Sequence, residues 1–382
     1  MALSEGIFKI KETRFIMKTK FILPIVALGL FAACNDDSSS SPVSPVTDTP
    51  AVTDSSAVTD PTVDPSVNPN GDPATDPSVN LGSDSGLTDS TANPGTETPA
   101  TFDPTASVAA CRNASRTIVE PTYEVVPTGE SFKYYGAELS GKQQFLYGRF
   151  EACMKMVSFS GTVSSMFLYY DPSYKKGTTP WNEVDIEVIG TSPLAWQSNI
   201  ITREGDASIE NNTTSEKMHD YGFDATQDFH LYAIVWTPEY VAWEIDGVEI
   251  RRDIVGGQTH GRHADKDQVA FLTETETLRF NLWSSESEAW VGPFDVEQLA
   301  NAPKAQWIDF VKVYSYDATT SAFTPLWQDD FDGDALDATR WSAGNWAMEN
   351  VMLAKKNVVV EDGYCKLLMT RESAPATDAA AQ

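Results

Sequence analysis

Residues 180–190, PWNEVDIEVIG, set Glu183, Asp185 and Glu187 at alternating positions with Val184, Ile186 and Val188 between them. Side chains alternate faces along a β-strand, so the three acids share one face and the three aliphatic residues the other. Three carboxyls crowded on one face repel one another and raise the proton affinity of their neighbours. Chemistry that needs one carboxylate and one carboxylic acid together at neutral pH can use that repulsion. Retaining cleavage of a glycosidic bond is such a case, with one carboxylate as nucleophile and a second, protonated carboxyl as acid to the leaving oxygen. On an extended strand the Cα atoms of Glu183 and Glu187 lie about 13 Å apart. Their carboxyls therefore meet over one sugar bond only if the strand lies on a concave face and the side chains lean together, with Asp185 between them. A solvated edge strand would show the same alternation, so the surrounding elements have to decide.

Those elements are predicted to be strands. GRFEACMKM (148–156) alternates Phe150, Ala152, Met154 and Met156 against polar partners, which places Cys153 with Glu151 and Lys155 on the polar side. YVAWEIDGVEIRR (240–252) reads as two short strands joined at Asp246-Gly247, a strong hairpin signal. FVKVYSY and YCKLLMTRE are further strands, and few long segments show helical periodicity. Many antiparallel strands with short turns argue an all-β sandwich of the concanavalin-like jelly-roll type. LRFNLWSSESEAWVG puts Arg279, Asn281 and Trp283 on one face and Phe280 and Leu282 on the other. Rings that stack on sugar and amides and a guanidinium that bind hydroxyls are what a sugar groove requires. Trp236 and Trp243 are expected in the core instead.

All ten tryptophans fall between Trp181 and Trp346, so the folded part lies late in the 382-residue chain. Residues 1–34 contain KTKFILPIVALGLFAAC (18–34), a charged start, a short apolar run and small residues before a cysteine. Phe21 to Ala33 is too short to span a bilayer and reads as an export signal of lipoprotein type, with Met17 as a candidate true start and Cys34 as the residue to be acylated. Residues 35–105 are rich in Ser, Thr, Pro and Asp, with DPSVN at 64–68 and again at 76–80, and are expected to form a disordered tether. The folded domain is placed at 106–382. The net charge is −28, and residues 35–110 carry twelve acids and no Lys or Arg. The remainder is acidic too, which argues against nucleic acid as a partner. Of the four cysteines, Cys111, Cys153 and Cys365 remain after Cys34, enough for one disulfide and one thiol, and the sequence does not decide the pairing. His260 and His263 in HGRH read as solvated loop residues.

The motifs YGRFEACMKM, SGTVSSMFLYY, PWNEVDIEVIG, WQSNIIT, TSEK, RFNLWSSESEAWVGPFD, FVKVY, LWQDDFDGDALDATRW, GNWAMEN and VVVEDGYCKLLMTR cover about residues 134–371. Together they resemble glycoside hydrolase family 16, and within it the circularly permuted bacterial 1,3-1,4-β-glucanases (licheninases). The permutation is implied by WQDDFDGDALDATRW, which follows the catalytic strand here and precedes it in the usual family order. The resemblance implies Glu183 as nucleophile, Asp185 as assisting acid and Glu187 as general acid/base. It implies Trp181, Phe167, Tyr169, Gln197, Asn199, Glu216, Arg279, Asn281, Trp283, Trp290 and Trp346 as substrate-cleft residues. The uninterrupted ExDxE is the licheninase-like form. No cofactor is expected for catalysis. A structural calcium is implied at Asp309, Asp330 and the backbone of Gly363, the first two being Asn in the relatives. Asp171 stands where Asn is common, and the loop PSYKKGTTP differs. Residues 110–133 have no counterpart and are expected to be an added strand or a linker remnant.

The expected protein is thus an exported enzyme, lipid-anchored through Cys34 to the bacterial cell envelope and facing the cell surface, acting as a monomer on β-glucan. Another family 16 specificity (β-1,3-glucan or xyloglucan, by hydrolysis or transglycosylation) and a non-catalytic carbohydrate-binding lipoprotein are the alternatives.

Overall fold

The computed structural model describes residues 102–124, 131–175, 179–203, 213–257 and 267–373. The export signal, Cys34, nearly all of the tether, and His260 and His263 lie outside the described residues. A short helix, α1 (Pro104–Asn113), opens the body. The strands β1 (Phe132–Phe145), β2 (Gly148–Lys155), β3 (Thr162–Tyr169), β4 (Trp181–Ile189) and β5 (Ala195–Arg203) follow. After them come β6 (Thr213–Thr214), β7 (Lys217–Asp220), β8 (His230–Trp236), β9 (Tyr240–Ile245), β10 (Val248–Ile254) and β11 (Glu276–Ser284). A one-turn helix α2 (Glu288–Val291) precedes β12 (Lys304–Asp317), β13 (Ala322–Asp329) and β14 (Trp341–Ala343). The last described strands are β15 (Ala347–Met348), β16 (Val351–Leu353), β17 (Val358–Glu361) and β18 (Tyr364–Ser373).

Pairing arranges these strands in two layers. The front sheet runs β14–β1–β11–β3–β4–β5, with β6 and β7 on the outer side of β5, and every contact in it is antiparallel. The back sheet runs β12–β2–β8–β9–β10, with β13 and β18 sharing the other side of β12 and β17 beyond β18. This is the expected antiparallel jelly-roll sandwich. The first long strand and the last are neighbours, Phe132 pairing with Ser373. Asp246 (φ 51°) and Gly247 (φ 77°) turn the β9–β10 hairpin, the two left-handed residues that a tight hairpin needs.

Between the layers, Val184, Ile186 and Val188 of β4 meet Phe150, Met154, Phe280 and Leu282, all fully buried. Trp196, Trp236, Trp243 and Trp341 are sealed in the same core, at roughly 4–6 kcal/mol of transfer free energy apiece. Trp243 does more than fill space, because its indole N–H donates to the backbone oxygen of Asp185 at 2.9 Å and ties the core to β4.

Of the segment without a counterpart, residues 110–113 end α1 and 114–124 form no strand, held to the body by Arg116 on the Cys111 backbone oxygen and Tyr123 on that of Leu299. α1 is capped by Asp103, which accepts from the Thr105 N–H at 2.9 Å, and Pro104 stands at its first position. Phe102 stacks edge-on against Tyr314 and lies under the Arg149 guanidinium. A disulfide joins Cys111 to Cys153, and Cys365 is the buried free thiol. The supposedly polar side of β2 is therefore sealed as well, with Arg149, Glu151 and Cys153 at 2%, 0% and 0% exposure. Arg149 bonds Glu151 at 2.7 Å and Glu244 at 2.8 Å, which lets these charges survive burial. Period-two alternation correctly separated the two faces of β2, but a covering helix removed the solvent from the polar one.

Candidate active site

Antiparallel register lines up the polar face of the front sheet into rows. One row runs Ser140, Arg279, Phe167, Asp185, Asn199 across β1, β11, β3, β4 and β5. The next runs Glu138, Asn281, Ser165, Glu187, Gln197, and a third runs Thr277, Tyr169, Glu183, Ile201. Each strand supplies alternate residues to this face and its apolar residues to the core. Residues far apart in sequence thus converge on Asp185 because their strands pair in one register.

Glu183 and Asp185 are 6% and 4% exposed, and Glu187 is more open. Glu183 accepts the indole N–H of Trp181 at 2.6 Å and a side-chain hydrogen bond from Asp185. Glu187 accepts the amide N–H of Gln197 at 2.8 Å. Burial raises all three carboxyls, but unequally. Asp185 is pushed well above the carboxylate range by burial, then by the charges of Glu183 and Glu187. Burial lifts Glu187 to about 8, with repulsion from Glu183 added and the Gln197 bond opposing. Burial lifts Glu183 only to about 7, because Trp181 and Asp185 both donate to it and Arg279 attracts its charge. The donors Trp181 and Asp185 favour the charged form of Glu183, whereas Glu187 has the Gln197 donor set against the charges of Glu183 and Glu216. The three carboxyls titrate as a unit.

Around the acids, Phe167, Tyr169 and Trp181 form a buried aromatic cluster with Ile201 beside it. The Arg279 guanidinium lies over the Tyr169 ring, held by Glu138 at 3.2 Å and by the exposed Asp171 at 2.6 Å. Asn199 accepts the Ser215 N–H through its side-chain oxygen at 2.9 Å, which turns its amide nitrogen away from that bond. Trp283 and Trp290 sit with ring centroids 6.1 Å apart, and the Trp290 indole N–H donates to Gln197 at 3.2 Å. Glu216 is close enough to Glu187 to raise its proton affinity. Trp346 stands at the end of the Glu138 row, where Gly344 donates to the Glu138 backbone oxygen at 2.9 Å and leaves room for the Trp346 ring. All the expected catalytic and cleft residues are therefore brought together on one face and its rim.

The sequence reading missed Glu138 and Ser165. Glu138 is buried, anchors Arg279 and accepts from Ser140 at 2.8 Å. Ser165 donates to the Asn281 side-chain oxygen at 2.5 Å. The alternation Gly136, Glu138, Ser140 against Ala137, Leu139 was available as a signal, since it matches that of β4.

The expected calcium position fares differently. Asp309 is paired with Arg116, a guanidinium nitrogen 2.7 Å from its carboxylate, and Asp330 accepts from the Gln328 amide. Among the described residues no group of three or more His, Cys, Asp or Glu side chains converges. Asp309 thus faces a cation of the chain's own, and a calcium held by Asp309, Asp330 and the Gly363 backbone would have to displace Arg116 from it.

A sandwich whose front sheet carries two glutamates and an aspartate side by side in an aromatic, amide-lined face has the equipment of a glycoside hydrolase. Residues 105–299 match the glycosyl hydrolases family 16, and the chain belongs to that family. The beta-glucanase of Fibrobacter succinogenes is 46% identical over 245 residues, 63% of this chain and 64% of that one. A beta-glucanase of Acetivibrio thermocellus is 31% identical over 188 residues, 49% of this chain and 48% of that one. The chain thus spans somewhat under two thirds of the first relative and about half of the second. Among solved structures, a prokaryotic beta-1,3-1,4-glucanase (lichenase) from a mouse hindgut metagenome superposes with a TM-score of 0.34 at 24% identity, over 50% of this chain and 80% of that one.

Proposed function

We propose that the protein is an endo-acting, retaining glycoside hydrolase that cleaves β-1,4 bonds in mixed-linkage 1,3-1,4-β-glucan. The observation that carries the proposal is the placement of Glu183, Asp185 and Glu187 on one face of β4, with the Trp181 indole donating to Glu183 at 2.6 Å and the Gln197 amide donating to Glu187 at 2.8 Å. In the first step a Glu183 oxygen attacks the anomeric carbon, the glycosidic C–O bond breaks, and the leaving oxygen takes the Glu187 proton. In the second, water gives a proton to Glu187 and its oxygen displaces Glu183, freeing the sugar and restoring both groups. The names of the relatives, beta-glucanases, and the uninterrupted ExDxE support the glucan reading. A second reading is a family 16 enzyme tuned to β-1,3-glucan or xyloglucan, and the rim where Asp171 pairs with Arg279 is where such tuning would lie.

Circular permutation is part of the proposal, and the pairing of β1 with β18 supports it, since neighbouring ends permit rejoining. So are export and acylation at Cys34, monomeric action and exposure at the cell surface, which rest on the sequence. No helix among the described residues is long and apolar enough to cross a membrane.

The test compares the full chain with Glu183→Gln on barley β-glucan, laminarin, carboxymethylcellulose and xyloglucan, counting reducing ends. Rapid cleavage of barley glucan alone, abolished in the variant, is expected. Preference for laminarin or xyloglucan moves the enzyme to the second reading. Binding of a glucan with no cleavage of any would make it a carbohydrate-binding protein.

A further inference from the structure

We infer that Trp290 is a positioning residue for the acid/base: its indole N–H locks the side-chain amide of Gln197 in the orientation that presents NH₂ to Glu187. The inference rests on the catalytic reading of Glu187 given above. It begins with an asymmetry of hydrogen bonding. An indole N–H can only donate, so the Gln197 atom facing it at 3.2 Å must be the oxygen. The nitrogen of the same amide is then committed to Glu187, which it meets at 2.8 Å. A free glutamine beside a carboxyl has two choices, offering its nitrogen to a carboxylate or its oxygen to a protonated acid. Trp290 withholds the second.

Trp290 is itself held firmly. The β11–α2 connection is fastened by Glu349, which accepts from the Ser285 hydroxyl at 2.7 Å and the Glu286 N–H at 2.6 Å. Asn350 donates to the Ser285 backbone oxygen at 2.7 Å. Just past the tryptophan, the Val291 oxygen accepts from the Gly161 N–H at 2.8 Å. Gln197 is 7% exposed, with little room to turn unless its oxygen is released.

The groups that face Glu187 make this matter. Glu183 and Asp185 lie on its own strand, Glu216 follows β6, Gln197 comes from β5, and from β3 the neighbour is the uncharged Ser165. Glu183 and Glu216 favour a protonated Glu187, and Gln197 supplies the opposing hydrogen bond. An acid/base must release its proton in the first step and retake one in the second, so too strong a hold on the proton slows it. Trp290, through Gln197, limits that hold.

The experiment uses the full chain and three variants: Trp290→Phe, which keeps a ring and removes the N–H, Gln197→Met, and the double variant. Two readouts are taken, kcat/KM for barley β-glucan against pH and the ¹³C titration of the Glu187 carboxyl by NMR. Trp290→Phe is expected to move the alkaline limb and the carboxyl titration up by about 0.5–1 pH unit, the size of one modest hydrogen bond. Gln197→Met should move both at least as far, and adding Trp290→Phe to it should move neither further. An unmoved titration in Trp290→Phe overturns the inference, and so does a shift that persists in the Gln197→Met background. Incorporation of 3-benzothienylalanine at position 290, the same shape without the N–H, gives the same reading if Trp290→Phe folds poorly. Should the chain cleave no glucan while the titrations shift as described, the catalytic reading falls and the coupling stands.

Discussion

Replacing Trp181 with phenylalanine should do more to the pH optimum than to the fold. Trp181 is 2% exposed, and its N–H lies 2.6 Å from a Glu183 oxygen. Phenylalanine keeps a ring in the cluster with Phe167 and Tyr169 but offers no donor. A hydrogen bond to a charged group contributes about 1.5–3 kcal/mol, so its loss should raise the proton affinity of Glu183 by about 1–2 pH units. Glu183 now titrates at about 7 and Glu187 at about 8, a narrow gap. The shift would carry Glu183 level with or past its partner, and the productive state, Glu183 charged with Glu187 protonated, becomes a minor species. Treating the two titrations as independent, kcat/KM at pH 7 should fall roughly 5- to 50-fold, against roughly 2- to 10-fold at the new optimum. The optimum itself moves from about 7.5 to about 8–8.5. Initial rates on barley β-glucan across the pH range measure this, with circular dichroism melting as the check on folding. An equal loss at every pH, with the optimum in place, would refute the argument and leave Trp181 as a surface for the sugar alone.

Two predictions concern stability. The Cys111–Cys153 bond closes a loop with a sequence separation of 42, worth about 4 kcal/mol of denatured-state entropy. The Cys111→Ala, Cys153→Ala double variant should therefore melt roughly 8–16 °C lower by calorimetry, and reductant should lower wild type but not the variant; equal melting points would dismiss the clasp. Glu276 is fully buried, neither carboxyl oxygen has a hydrogen-bond partner among the described residues, and burial followed by the Glu183 charge raises its proton affinity well above the usual range. The native state thus keeps a proton that the unfolded chain releases near pH 4.3, so stability is lost as pH rises from there toward the raised native value. Glu276→Met should stabilise by about 1–3 kcal/mol at neutral pH and more at pH 8 than at pH 5, in urea unfolding. A destabilised variant would mean that the carboxyl has a structural partner.

How much of this was legible in the chain follows from the range of the forces involved. Period-two alternation is local, and it was enough to put Glu183, Asp185 and Glu187 on one face, Arg279, Asn281 and Trp283 on another, and Asp246-Gly247 in a hairpin. It also marked Trp236 and Trp243 as core. Alternation says nothing about what lies over a strand, so β2 was read as half-solvated when α1 covers it, and Cys153 became a buried partner of Cys111. The family resemblance implied oxygen ligands at Asp309 and Asp330, yet only the folded chain brings Arg116 to Asp309. The roles of the three acids are tertiary in origin too. Identical local spacing gives Glu183 and Glu187 equal claims, and what separates them is an indole N–H and Asp185 on one side and a glutamine amide on the other. Glu138 shows the same limit from the opposite direction: its strand pattern was visible, but its meaning came from the pairing of β1 with β11, set by contacts more than a hundred residues apart. The sequence determined which faces carry chemistry, because side-chain direction along a strand is a property of the strand alone. The tertiary structure decided which donors each acid meets, because desolvation and cross-strand hydrogen bonds exist only once the sheets have closed.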